Sequence, residues 1–112
     1  MTAGRKISRR TAGSARVVLR LFVTGATPSA VRARACLNDV CAELRQAEGD
    51  AAVDLQVIDV LSDPESAIMD DVFATPTVIR VAPAPGRRLF GDLSSPEMVM
   101  IGLQIAPEPV PA

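Results

Sequence analysis

The sequence contains no histidine, tryptophan or tyrosine, and only three phenylalanines and two cysteines in 112 residues. Without histidine, imidazole acid–base catalysis and histidine metal ligation are excluded. Two cysteines alone fall short of the four-ligand set of a structural zinc site. No apolar stretch approaches the roughly 18 residues of a membrane span, and neither a phosphate-binding loop nor a dinucleotide glycine pattern is present. Nothing pairs a nucleophile with a base. Asp70-Asp71 reads as solvated helix surface. The expectation is a protein that is not an enzyme, with no catalytic residues, cofactor or metal.

What is present is aliphatic. Hydrophobic residues make up 48% of the chain, so with Phe22, Phe73 and Phe90 as the aromatics the core must come from Val, Leu, Ile, Ala and Met. The length fits one compact domain. Net charge is −1 overall, yet Arg5, Lys6, Arg9, Arg10, Arg16 and Arg20 fall in the first twenty residues with no acid among them. Residues 1–16 therefore read as a disordered basic tail, because Ser8, Thr11, Ala12, Gly13 and Ser14 offer little to bury. Contact with an anionic partner or nucleic acid is the alternative for this tail. Ser8-Arg9-Arg10 hints at a twin-arginine signal, but the apolar run after it is short, contains Arg20 and ends in Thr24-Gly25. A cytoplasmic location is expected.

The patterns order the remaining chain. Val17–Val23 is a buried strand stopped by Thr24-Gly25-Ala26. Thr27-Pro28 is a helix start, and Ala30, Ala33, Leu37, Val40, Cys41 and Leu44 place one apolar face on a helix over 28–47. Val53–Val60 is a second strand, parallel to the first through the helical crossover. Asp63-Pro64-Glu65 opens a short helix to about Val72. Thr77–Val81 and Arg87–Gly91 are strands around a Pro83-Ala84-Pro85-Gly86 turn. Ser94-Ser95-Pro96-Glu97 fits a capping box for a last helix. Pro107, Pro109 and Pro111 make 107–112 an extended tail, leaving 17–106 as the domain.

This α/β order, βαβαββα around a four-stranded mixed sheet, is the thioredoxin arrangement. Ala74-Thr75-Pro76-Thr77 stands where such domains carry a cis proline; an ordinary trans proline at a strand entry is the alternative. Thioredoxin chemistry needs two thiols at the start of the first helix, and that position reads Gly25-Ala26-Thr27-Pro28-Ser29-Ala30. Cys36 and Cys41 lie deeper, about 140° apart around the helix axis, so they are expected as free thiols, Cys41 in the core and Cys36 at its margin.

Leu19 to Ser29, Val57-Ile58-Asp59-Val60-Leu61 with Pro64, Ala74-Thr75-Pro76-Thr77, Arg87 to Ser94 and Met98 to Leu103 with Gly102 together resemble the KaiB family over about residues 17–105. The resemblance implies a circadian regulatory binding protein whose partner is the ring ATPase KaiC, with a histidine kinase of the output pathway as a further partner. It also implies two folds of one sequence: a ground state ordered βαββααβ, a homotetramer or dimer, and a monomeric thioredoxin-like state that binds KaiC. The switching segment would be about residues 61–105, with Pro76, Pro83, Pro85 and Gly102 governing fold choice. Arg32 and Arg34 on the first helix and Arg87 and Arg88 on the fourth strand are the candidate partner contacts.

Several positions depart from the family pattern. Val17 replaces an aromatic, Asp71 replaces a lysine associated with partner binding, and Gln104 replaces an aspartate that influences fold choice. The loop Ala47–Ala52 is longer, and the acidic C-terminal tail is missing. These departures bear on partnering with KaiC and with KaiA, which the resemblance implies is captured once KaiC is bound, and the competing expectation is a KaiB-like interaction module for another partner, such as a sensor kinase or stress regulator.

Overall fold

A computed structural model of the chain describes residues 16–105. The expected tails, 1–15 of the basic segment and 106–112, lie outside the described residues. The elements are β1 (Val17–Val23), α1 (Pro28–Glu48), one 3-10 turn (Asp50–Ala52), β2 (Val53–Asp59), α2 (Pro64–Met69), β3 (Thr77–Ala82), β4 (Arg87–Phe90) and α3 (Pro96–Leu103). The βαβαββα order is the one expected from the sequence, and the strands lie β2-β1-β3-β4. β1 and β2 are parallel, in register from Val17↔Val53 to Val23↔Asp59; β3 runs antiparallel to both β1 and β4.

β1 is apolar on both faces because it is central. Leu19, Leu21 and Val23 face α1 and α3 in the larger core, with Val53 and Val78 from the neighbouring strands. Phe22 faces the other way, into a small cluster with Ile58, Ala67 and Ile79 beneath α2. Of the three aromatics, Phe22 alone is buried, so the core is aliphatic as the composition requires.

Parallel strands need a long crossover, which α1 supplies. The Thr27 hydroxyl accepts from the Ala30 N–H at 3.2 Å, with Pro28 in the first turn. The helix stops at Gly49, whose φ of 101° suits glycine and whose N–H donates to the Arg45 carbonyl at 2.8 Å. Its buried face holds every expected residue and also Cys36, only 3% exposed. Cys36 is thus a core residue rather than a marginal one, because the strand-facing and α3-facing sides of α1 are both covered.

Two helix ends differ from the sequence reading. α2 stops at Met69 rather than near Val72: Asp71 takes a positive φ of 55°, and the Val72 N–H closes the turn onto the Ala67 carbonyl. The α3 cap is Ser95, accepting from the Met98 N–H at 3.3 Å, not Ser94. Pro96 occupies the first helical position and makes the residue before it the extended cap.

Pro76 is buried at the entry to β3, and its bond to Thr75 is cis; Pro83 and Pro85, in the β3–β4 turn, also follow cis bonds. The turn is held from inside by Arg80, which is 5% exposed. One Arg80 nitrogen donates to the carbonyls of Leu103 at 2.8 Å and Gln104 at 3.2 Å, and another donates to the Pro85 carbonyl. The guanidinium therefore satisfies the end of α3, where Gln104 adopts a left-handed φ of 56°, and ties it to the turn.

Removing that fork leaves buried carbonyls unpaired. Arg80→Met is expected to lower the unfolding free energy by about 3 kcal/mol in urea titration, and Arg80→Lys, lacking the planar fork, to recover only part of the loss. Gly102 lies within α3, where alanine would ordinarily favour the helix. A Cβ there would meet Leu89 Cδ1 at 2.7 Å, which offsets the helix gain of about 1 kcal/mol. Gly102→Ala alone is expected to be near neutral, and in a Leu89→Ala background to show the full gain, measured as non-additivity of about 1 kcal/mol between the urea curves.

Candidate protein-binding surface

The corner that holds the thiols in thioredoxin-type chemistry is closed here by polar contacts. The Thr24 and Thr75 hydroxyls are 2.6 Å apart, joining the end of β1 to the loop before β3. Asp59 Oδ1 accepts from the Gly25 N–H at 2.9 Å and from the Leu61 N–H at 3.0 Å. These two backbone bonds, Gly25's first, hold the Asp59 carboxyl below the usual carboxylate range, and the Arg34 charge adds to them. Gly25 has a φ of 52°, and a Cβ would stand 3.3 Å from Leu61 Cδ1. The corner is closed by these bonds and carries no thiol.

Both cysteines are free and buried on α1. Burial raises the Cys36 thiol pKa, with Asp39 and Asp92 adding to it; burial likewise raises that of Cys41, against the opposing charge of Arg45. Neither has the electropositive, accessible setting of a reactive thiol.

The four arginines singled out in the sequence are all exposed but do not form one patch. Arg32 lines a shallow cleft of about 380 Å³ with Pro76, Gly91 and Ser94. Arg34, two residues on and so turned about 200° around the helix, acts on Asp59 instead. Arg87 and Arg88 are successive strand residues and point to opposite faces of β4. Arg88 donates to the Asp71 carbonyl at 3.0 Å and the Asp70 carbonyl at 2.8 Å, capping the end of α2. Arg87 has no ion pair among the described residues.

A second surface was not visible in the residue patterns. α2 has six residues and covers only one end of its sheet face. Beside it stand Phe73, 93% exposed, and Phe90, 71% exposed, with Ile68, Met69 and Leu61 also open to solvent. Phe73 and Phe90 line a cleft of about 420 Å³ with Asp71, Ala74, Thr77 and Arg88. Phe73 and Ala74 continue into a neighbouring cleft of about 390 Å³ that includes Ile68 and Thr24. Single exposed apolar residues are ordinary, but a contiguous run marks an interaction site. The signal available in the sequence was position: Phe73 belongs to no periodic run, and Phe90 alternates with charged Arg88.

On the other side of Arg20, which pairs with Asp70 at 2.8 Å and lies 5.6 Å from the Phe22 ring centre, the same sheet face is polar. Asp54 and Gln56 of β2 are exposed there. The apolar run is therefore bounded, and its chemistry is that of a protein contact with a charged rim.

The lowered Asp59 pKa fixes a direction with pH. The carboxylate contributes stability above its ordinary unfolded value, about 3.9, and loses it as pH falls through the lower folded value. Asp59→Asn is expected to show a smaller drop in thermal midpoint between pH 7 and pH 3 than the parent chain, measured by calorimetry.

Comparison with known proteins agrees with this geometry. Residues 20–105 match the KaiB domain family. The chain is 44% identical over 93 residues to the circadian clock oscillator protein KaiB of Thermostichus vulcanus, covering 83% of this chain and 82% of that protein. It is 43% identical over 88 residues to the protein of the same name from Synechococcus elongatus, covering 79% and 82%. Among solved structures, the N-terminal domain of Synechococcus elongatus SasA superposes with a TM-score of 0.62 at 18% identity, covering 98% of each chain. Chloroplastic thioredoxin z superposes with a TM-score of 0.63 at 22% identity, over 88% of this chain and 90% of that one. These two show the fold alone. With a family match over most of its length and relatives this similar, the chain belongs to the KaiB family.

Proposed function

We propose that this chain is a non-catalytic regulatory protein of the cytoplasm that binds a KaiC-like ring ATPase through its thioredoxin-like form. The observation that supports the reading is element order. In a KaiB-family chain, residues 61–105 run α2, β3, β4, α3, the order that the family resemblance associates with the ATPase-binding state. Interconversion with a second fold, in which this segment would run differently, belongs to the same proposal. The thiol-free corner and the two buried cysteines support a binding role over redox catalysis. The apolar run around Phe73 and Phe90, with Arg88 at its rim, supplies a surface for a protein partner, and the exposed Arg87 on the opposite face of β4 supplies a second contact.

A second reading is favoured by Asp71, which lines the Phe73 cleft with a negative charge where the family pattern has a lysine. In that reading the module keeps the fold and serves another partner, such as a sensor kinase. The two are separated by mixing the chain with the KaiC-like ATPase of the same organism and ATP, followed by size-exclusion chromatography and native mass measurement. A stable ring complex is expected. Its absence in every nucleotide and phosphorylation state would overturn the first reading and leave the second.

Arg87→Glu is expected to weaken that complex while leaving folding stability within about 0.5 kcal/mol, as for other exposed substitutions. Arg88→Glu is a poorer probe, because it also removes the cap on α2. Unchanged affinity of the Arg87→Glu chain would remove the Arg87 face of β4 from the interface.

A further inference from the structure

β4 is the last strand of the sheet among the described residues. Its register with β3 pairs Thr77 with Phe90, Val78 with Leu89, Ile79 with Arg88 and Arg80 with Arg87. Beyond the last pair, the Gly91 N–H donates to the Pro76 carbonyl at 3.3 Å. In an antiparallel ladder the hydrogen-bonded pairs alternate, so Leu89 and Arg87 bond inward to β3 along with Gly91. The N–H and C=O groups of Arg88 and Phe90 consequently point away from the sheet. These are four strong hydrogen-bonding groups on an open edge, the template for an added strand.

The side chains on this edge specify what kind of strand would fit. Arg88 and Phe90 are two residues apart and share the α2 face, where Phe90 and the 93%-exposed Phe73 wall the cleft of about 420 Å³. Arg87, on the opposite face, has no ion pair among the described residues. The acids nearby do not cancel this charge evenly: Asp70 is held by Arg20, and Asp71, which also lines the cleft, meets Arg88 through its backbone carbonyl at 3.0 Å and forms no ion pair with it.

We propose that the outer edge of β4 is a strand-addition site for an extended acidic segment of a partner protein. That segment carries an acidic residue and a large apolar residue two positions apart, the acid meeting Arg88 and the apolar group entering between Phe73 and Phe90. The spacing follows from the two-residue period of a strand, and the charge from the arginines on both faces of β4. A partner helix laid in the cleft would leave the outward groups of Arg88 and Phe90 unused. A second copy of this chain would bring Arg87 and Arg88 of both copies alongside one another. The proposal is independent of whether the partner is a ring ATPase, so failure of the ATPase complex leaves it standing.

The test uses the full chain, labelled with ¹⁵N, and the capped peptide Thr-Glu-Val-Phe-Val-Glu-Thr. At saturation, amide hydrogen exchange of Arg88 and Phe90 is expected to slow about tenfold, while Leu89, already bonded inward, changes little. Replacing the peptide's two glutamates with glutamine is expected to weaken it about fivefold, and N-methylation of the peptide's phenylalanine to abolish binding. No shift at millimolar peptide overturns the proposal. So does equal binding of the N-methylated peptide, which would mean side-chain docking without a strand. Protection of Arg88 and Phe90 in the free protein, with a dimer mass, would assign the edge to a second copy. The same protection in a monomer, lost when the chain is ended at Ile105, would assign it to residues 106–112. Either result overturns the partner segment.

Discussion

Two-sided burial of β1 is the constraint on which the remaining structure depends. The strand is hydrogen-bonded to β2 on one side and β3 on the other, and Leu19, Leu21, Phe22 and Val23 have no exposed surface. A strand in that position has to be covered on both faces, so helices must lie above and below it. Its parallel partner forces a long crossover, which becomes α1. Its end also sets the loop at which Thr24 meets Thr75 and Gly25 meets Asp59. The corner that serves chemistry elsewhere in this fold is here a joint, and it is tied by hydroxyl and carboxylate bonds.

The two faces are covered unequally, and the exposed apolar run follows from that inequality. On one side α1 and α3 close the larger core, with Arg80 satisfying the last carbonyls of α3 and fastening them to the β3–β4 turn. On the other, α2 has too few residues to span the sheet. Arg20 and Arg88 hold it in place through Asp70 and the carbonyls at its end, and the apolar side chains beyond it stay in solvent. In this KaiB-family protein one face is thus closed and the other leaves apolar side chains open to solvent.

Much of the fold was legible in residue patterns because local rules and tertiary packing agree there. Thr27-Pro28 starts α1, the apolar stripe from Ala30 to Leu44 marks its buried face, and β1 reads as a two-sided strand. The misses have two causes. Cys36 sits at the edge of the stripe, and its burial depends on α1 being covered from two directions. The α3 cap falls on Ser95 because Pro96 dictates the backbone before it. The early end of α2 is fixed by Asp71 in a left-handed conformation and by an arginine seventeen residues away. For Cys36 and the end of α2 the deciding contact is remote in sequence, whereas for the α3 cap it is the adjacent proline.

The candidate site divides in the same way. By itself the sequence determined the family frame, the order of elements, the lack of a thiol pair at the start of α1 and the absence of histidine chemistry, because these follow from residue identity and short-range periodicity. Only the tertiary structure decided that Arg32, Arg34, Arg87 and Arg88 point to different surroundings, that Arg80 is a buried tie and Arg88 a helix cap, and that Phe73 and Phe90 stand together in solvent. Those outcomes depend on which strand lies at the edge and how far a six-residue helix reaches across a sheet. Such distances are set by packing between segments far apart in the chain, and no local pattern encodes them.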